Sequence, residues 1–388
     1  MATHLPIGIL TVAMACGMTA PVAKAQAARE GQTGWDRVAA AQYLDDRINL
    51  WFERAKEPGP GEGRPSCISC HMVVPYLLAR PALRRAMAVS EPTSQEARLL
   101  KEVAQRVDSF TDHESLSDSK HSGERGTAAV LNALILACQD AELKRSQPSE
   151  ITRKALRQLW ETQRADGAWD WIDVAQEPDE SADSQFYGAA LAAIAIGTAP
   201  SRGYGGEADT AGNVYKLRAY LKGRYAGQNL YNRTWMLLAS SRLAGLLNQE
   251  RREELMRELK ANQNGDGGWS LYKLGPWRWS KASPPSTPPG KPDTSLLEKS
   301  DGFATGLIAY ALPRAGLPAD DPALSRAIAW LKANQNEVRI EPHVWKCWRT
   351  LSLNHDRENG GAHGGDWKQM LMSDMATAFA VLALSPPE

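Results

Sequence analysis

One short turn occurs twice in this chain and limits what the chain can fold into. Gln163, Asp166, Gly167 and Trp169 spell Gln-x-x-Asp-Gly-x-Trp, and the pattern returns as Gln263, Asp266, Gly267 and Trp269. The hexapeptide Leu259–Asn264 (LKANQN) recurs as Leu331–Asn336. Self-similarity of this kind marks an array of supersecondary units, none of which can bury its apolar face alone, so that neighbours must stack.

The stretch from Ile151 to Gly197 shows the unit most clearly. Ile151, Ala155, Leu156 and Leu159 follow helical spacing, so the unit opens with a helix that buries one face. After the turn, the run from Gly188 to Ala195 is apolar all round, which implies burial on every side. The first helix is therefore an outer one and the second an inner one. Aligned in this way, inner helices are expected at Pro75–Ala88, Gly126–Cys138, Asp183–Gly197, Tyr231–Leu247, Asp301–Gly316 and Ser373–Leu384. Their outer partners fall at Val38–Arg54, Gln95–Asp108, Ile151–Gln163, Val214–Tyr225, Gln249–Gln263 and Pro322–Gln335. The spacing of roughly sixty residues is too long for tetratricopeptide arrays, whose period is about 34. The expected fold is all-α, an (α/α)6 toroid of six helical hairpins with a funnel on its axis.

The turns and the Ala-rich inner helices resemble the repeats of the squalene–hopene cyclase and protein prenyltransferase β-subunit superfamily, over roughly Val38 to Leu384. That resemblance implies the toroid, and it implies a place for the cyclase proton donor, an Asp-x-Asp-Asp-Thr sequence at the mouth of an inner helix. Here Asp301-Gly302-Phe303-Ala304-Thr305 falls on that motif: the first Asp and the Thr match, and Phe303 and Ala304 replace the acid pair. Asp183-Ser184-Gln185-Phe186-Tyr187 and Ser373-Asp374-Met375-Ala376-Thr377 lack the pair as well. The family's zinc site requires Asp-x-Cys, and its third position is Phe303. Asp183, Asp301 and Asp374 remain as funnel-mouth candidates, with helix N-capping as the competing role.

The first 27 residues read as an export signal, with an apolar Leu5–Ala23 followed by small-x-small sites at Ala23-Lys24-Ala25 and Ala25-Gln26-Ala27. Cys16 would serve a lipoprotein, the alternative. The expected location is exported, in the periplasm, with residues 28–388 as a single domain. Lysine plus arginine and aspartate plus glutamate number 45 each, so the composition carries no footprint for nucleic acid. No later apolar run reaches the roughly 18 residues of a membrane span.

The first hairpin departs from the repeat. Its turn contains Cys67-Ile68-Ser69-Cys70-His71, the attachment signature of c-type haem. Two thiols at this spacing reach the haem vinyl groups, and the adjacent imidazole lies under the iron as its axial ligand. A Cys67–Cys70 disulfide, a zinc site with distant partners and a chance pattern compete with one haem c. Cys138 and Cys347 stand alone and are expected to be inert buried thiols. In a closed ring the neighbouring hairpins offer His113, His121, His355, His363, Met370, Met372 and Met375 as sixth ligands, and a pentacoordinate iron is the alternative. The polar stretch from Ser109 to Arg125 is expected to be a solvated loop.

Tryptophan is over-used, 13 against 5 phenylalanines. Trp169 and Trp269 belong to the repeat turns, whereas Trp171, Trp277, Trp279, Trp345, Trp348 and Trp367 fall in long connections, where they are expected to face a ligand over the funnel. The insertion Gly275–Ser300 carries five prolines, at 284, 285, 288, 289 and 292, and is expected as extended coil. Three functions follow from different classes. The first is a haem protein of electron transfer or redox and ligand sensing, with an unidentified redox partner. The second is an isoprenoid-binding or isoprenoid-processing protein that holds a small apolar ligand in the funnel. The third is a disulfide-bearing scaffold for a protein or glycan.

Overall fold

The computed structural model describes residues 34–54, 71–110, 119–173, 176–200, 210–277, 295–353 and 370–385, with backbone alone at 54 and 119–122. The export segment, Cys67, Cys70, His113, His355, His363, Trp279 and Trp367 lie outside these residues, as does the side chain of His121. Among the described residues the fold is all-α, as the periodicity implies, with twelve α-helices and one two-stranded sheet. The inner helices are α2 (Val73–Ala86), α4 (Ser119–Glu142), α6 (Ser184–Thr198), α8 (Leu230–Arg242), α10 (Gly302–Arg314) and α12 (Leu371–Leu384). The outer helices are α1 (Arg37–Arg54), α3 (Ser94–Asp108), α5 (Glu150–Glu161), α7 (Ala211–Arg224), α9 (Gln249–Ala261) and α11 (Pro322–Ala333).

Each class of helix forms for the reason its sequence shows. In α5, Ala155, Leu156 and Leu159 are fully buried while the opposite face meets solvent, and the Ser149 side chain caps the helix by accepting from the Thr152 amide. Thr93 and Glu96 exchange side-chain and backbone bonds in a capping box that starts α3. By contrast, α6 is buried from Phe186 through Ile196 without a break. The inner helices pack in a closed circuit: α2 on α4, then α6, α8, α10 and α12, which returns to α2.

The repeat turn does three jobs with two side chains. Trp169 donates its indole N–H to the Leu159 carbonyl at 2.7 Å, and Trp269 does the same to Leu259 at 2.7 Å. Gln163 donates to the Gly167 carbonyl, closing its own turn, and to the Asn213 carbonyl at the start of α7. Gln263 likewise reaches Gly267 and the Ala323 carbonyl in α11. Gly167 and Gly267 hold φ of 96° and 95°, a region that glycine alone enters without strain.

A third copy is present that the sequence pattern hides. Trp348 donates to the Leu331 carbonyl at 2.7 Å, and Gln335 donates to Lys346 and to the Asp36 carbonyl just before α1. Between them a hairpin is inserted, β1 (Asn336–Ile340) paired antiparallel with β2 (His343–Cys347). Hence the last outer hairpin touches the first through the same glutamine bond that joins α5 to α7 and α9 to α11. Trp35 meets Trp348 with ring centroids 5.8 Å apart and planes tilted by 59°, and Arg47 of α1 makes a two-pronged ion pair with Asp374 of α12, both bonds 2.8 Å.

Several expectations change here. Trp348 packs the repeat, fully buried, and Trp171, Trp277 and Trp345 are also buried, so none of these four forms an exposed aromatic loop. Gly188 in α6 exists to admit Trp171, whose ring would lie 2.2 Å from any Cβ placed there. The long connection that carries Trp345 and Trp348 holds the β hairpin, and Cys347, buried, ends β2. Helix α4 begins at Ser119, so residues 119–125 of the expected solvated loop are helical. Of the Pro-rich insertion, residues 278–294 lie outside the described set.

Candidate functional site

The ring has two chemically different ends. Every inner helix contributes to a cavity of about 600 Å³ on the axis, and the contributions come from the middle and C-terminal halves of those helices. Leu77 and Pro81 line it from α2, Leu134 from α4, Leu191 from α6, Leu238 from α8 and Leu382 from α12. Its floor is aromatic: Trp235 and Phe379 lie 5.5 Å apart, with Tyr310 6.2 Å from Phe379. These rings belong to a layer that spans the axis, in which Tyr187 meets Trp235 at 5.0 Å and Tyr231 meets Phe303 at 6.1 Å. A volume in this range, with apolar walls, is that of a small-molecule site.

Beyond the aromatic layer, at the N-terminal ends of the inner helices, the interior becomes polar. His71 sits just before α2 and is buried, with Nδ1 3.6 Å from Glu180 Oε1 and Nε2 3.9 Å from Asp179 Oδ2. Asp179 is fully buried, and burial pushes its carboxyl up to about 6. Its Oδ1 accepts from the Tyr231 hydroxyl, whereas Oδ2 accepts no hydrogen bond. The loop bearing these acids is held from inside: Trp171 donates to the Asp179 carbonyl at 2.7 Å, and Ser181 donates to Glu177 at 2.9 Å. No line of sequence reasoning singled out Asp179, Glu180 or Tyr231. The signal available was the acidic run Glu177-Pro178-Asp179-Glu180 beside an apolar inner helix, with no compensating base nearby in sequence.

The three candidate aspartates are at this polar end, and the cavity lining includes none of them. Asp301 caps α10 by accepting from the Phe303 and Ala304 amides, and it also accepts from Leu271 N–H and the Thr350 hydroxyl. Burial raises its carboxyl to about 6 against those bonds. The threonine that matches the cyclase motif, Thr305, accepts from the Trp269 amide, and Thr377 does the same for Trp348, so both brace the repeat turn. Asp374 lies in the first turn of α12, where Arg47 grips it and the Tyr43 hydroxyl donates to it at 2.6 Å. Its carboxyl is raised by burial, with the Arg47 charge opposing. Asp183 stands at the start of α6 without a side-chain cap to that helix, half-buried. N-capping therefore accounts for Asp301 alone.

Of the sixth-ligand candidates, Met370, Met372 and Met375 are buried at the start of α12, the helix that packs along α2. Among the described residues no group of three or more His, Cys, Asp or Glu side chains is arranged to hold a metal ion. Both ring nitrogens of His71 face carboxylates, Nδ1 that of Glu180 and Nε2 that of Asp179. No described helix is long and apolar enough to cross a membrane. Compared with known proteins, the chain matches no family model and no curated protein sequence.

Proposed function

We propose that this chain is an exported (α/α)6 toroid, related to the cyclase and prenyltransferase repeats, that binds a small apolar molecule in its axial cavity. The observation that carries the reading is the cavity itself, which all six inner helices wall and whose floor is a layer of packed aromatic rings. An isoprenoid fits such walls. Alkene protonation lacks its acid pair, since Phe303 and Ala304 occupy those places and Asp301 is committed to capping. Native mass spectrometry with solvent extraction of the purified protein tests the reading, and one apolar molecule per chain is expected. Leu238→Trp, which fills the cavity from its wall, is expected to abolish it. A correctly folded protein that takes up no apolar molecule would refute the reading.

A second role is supported at the other end. Cys67-x-x-Cys70-His71 with a buried His71 favours one covalent haem c. Cys67 and Cys70 would form the thioethers and His71 the axial bond. The haem would supply one-electron transfer or ligand sensing, toward a redox partner. A pyridine haemochrome spectrum from a host with cytochrome c maturation factors tests this. Loss of the signal in a Cys67→Ala/Cys70→Ala variant is the expected result, and a colourless wild type beside a red control cytochrome would remove haem from the account.

A further inference from the structure

Helix α2 carries a proline in its interior, where a helix tolerates one least. Pro81 has no N–H to give to the carbonyl four residues earlier, that of Leu77, which a regular helix would pair with position 81. A proline ring in this place also crowds that carbonyl, so the oxygen is left bare on the face the proline occupies. Here that face is the cavity wall, because Leu77, Leu78 and Pro81 all line the cavity. Among the described residues no backbone amide outside α2 donates to the Leu77 oxygen. Leu77 lies about 12 Å along the helix from Arg85, which is in the last turn, so the acceptor is at depth rather than at the mouth.

A bare carbonyl in an apolar wall selects its ligand by one property. The oxygen accepts and cannot donate, and an acceptor left unpaired away from water costs free energy comparable to a lost hydrogen bond. A ligand that brings an O–H to it is therefore favoured over one of the same shape that does not. An ammonium would also donate, but burying its charge among leucines costs far more than one bond returns. Resting on the cavity reading above, we infer that the ligand is an apolar alcohol whose hydroxyl, at its buried end, donates to the Leu77 carbonyl. Its hydrocarbon body then fills the space between Leu134, Leu191 and Leu238. Buried apolar area supplies the larger share of affinity, and the single hydrogen bond supplies the discrimination.

The full-length chain is titrated with dodecanol and with dodecyl methyl ether, which keeps the oxygen and lacks the proton. Displacement of the apolar dye phenylnaphthylamine gives the affinities, and native mass spectrometry gives the stoichiometry. Dodecanol is expected to bind about fivefold more tightly than the ether, the effect of one net hydrogen bond. Pro81→Ala supplies the missing amide to Leu77. It is expected to raise Tm, since a helix-interior proline is removed, to show a slowly exchanging amide at position 81, and to bind alcohol and ether alike. Leu238→Trp, which fills the cavity, is expected to bind neither. Equal affinities for alcohol and ether in the wild type, or an alcohol preference that survives in Pro81→Ala, overturns the inference and leaves the cavity reading standing. Binding of neither compound by the wild type, or binding that Leu238→Trp does not diminish, overturns both.

Discussion

Replacing Gln335 by Ala tests whether the last hairpin is tied to the first in the way the inner hairpins are tied to each other. Gln335 Oε1 accepts from the Asp36 amide at 2.6 Å, and its Nε2 donates to the Asp36 carbonyl at 2.9 Å and to Lys346 at 3.4 Å. Two good bonds to Asp36 at about 1 kcal/mol net each give a loss of about 2 kcal/mol, with the long third bond adding little. Water can reach Asp36, which is exposed, so the full penalty of a buried orphan does not apply. With about 2.1 cal/mol/K of unfolding entropy per residue, that loss lowers Tm by about 3 °C in a chain of this length. Because Arg47 still grips Asp374, α1 stays attached along its length and only its first turn opens. Urea unfolding measures the global loss, and hydrogen exchange locates it: the amides from Trp35 to Ala41 are expected to exchange faster. Gln263→Ala is the control, expected to cost a similar amount and to open the start of α11 instead, since its partner is Ala323. A Gln335→Ala protein with unchanged exchange at α1 and a loss below about 0.5 kcal/mol would refute the reasoning, because surface changes away from any tie stay within that range.

Trp348→Ala is expected to cost about 3–5 kcal/mol in urea unfolding, as large as Trp269→Ala, since both rings are fully buried repeat anchors. Asp179→Asn is expected to stabilise the protein at pH 8. Burial raises the folded carboxyl from 3.8 to about 6, so its contribution is present below about pH 4 and lost as pH rises through 6. The gain on removing that charge reaches about 3 kcal/mol and shrinks to nothing toward pH 4; a pH-independent gain in thermal unfolding would contradict it. Arg47→Met leaves the Asp374 charge buried and is expected to cost about 3–5 kcal/mol, with Arg47→Met/Asp374→Leu recovering most of it in the same assay.

Helical class, the outer and inner sets and most helix boundaries were legible because burial periodicity is written directly into residue type. Ile151, Ala155, Leu156 and Leu159 carry one buried face, while Gly188 to Ala195 carry burial on all sides. Trp348 was misread because its turn has lost the Asp-Gly pair, so the pattern that announces Trp169 and Trp269 is absent while the hydrogen bond persists. The aspartates at the starts of the inner helices were legible as positions, but whether each caps a helix or pairs with a base depends on partners far away in sequence. Asp374 and Arg47, separated by 327 residues, cannot be matched by any local rule. The cavity could be expected from a ring, but which end it favours depends on how aromatic side chains fill the axis. Tyr187, Tyr231, Trp235, Phe303 and Phe379 close off the end that holds the aspartates.

The β1–β2 hairpin shows how the architecture separates its frame from its ornaments. In two turns the anchoring tryptophan follows the leucine that accepts its indole bond by 10 residues, and in the third by 17. Glutamine and tryptophan keep their partners across this difference, so the chain between them is free to vary in length and even in secondary structure. Each such turn is therefore a graft point. A binding loop, an affinity tag or a reporter peptide spliced between Gln163 and Trp169, or between Gln263 and Trp269, is positioned to ride on the ring while the stacking of its helices proceeds unchanged.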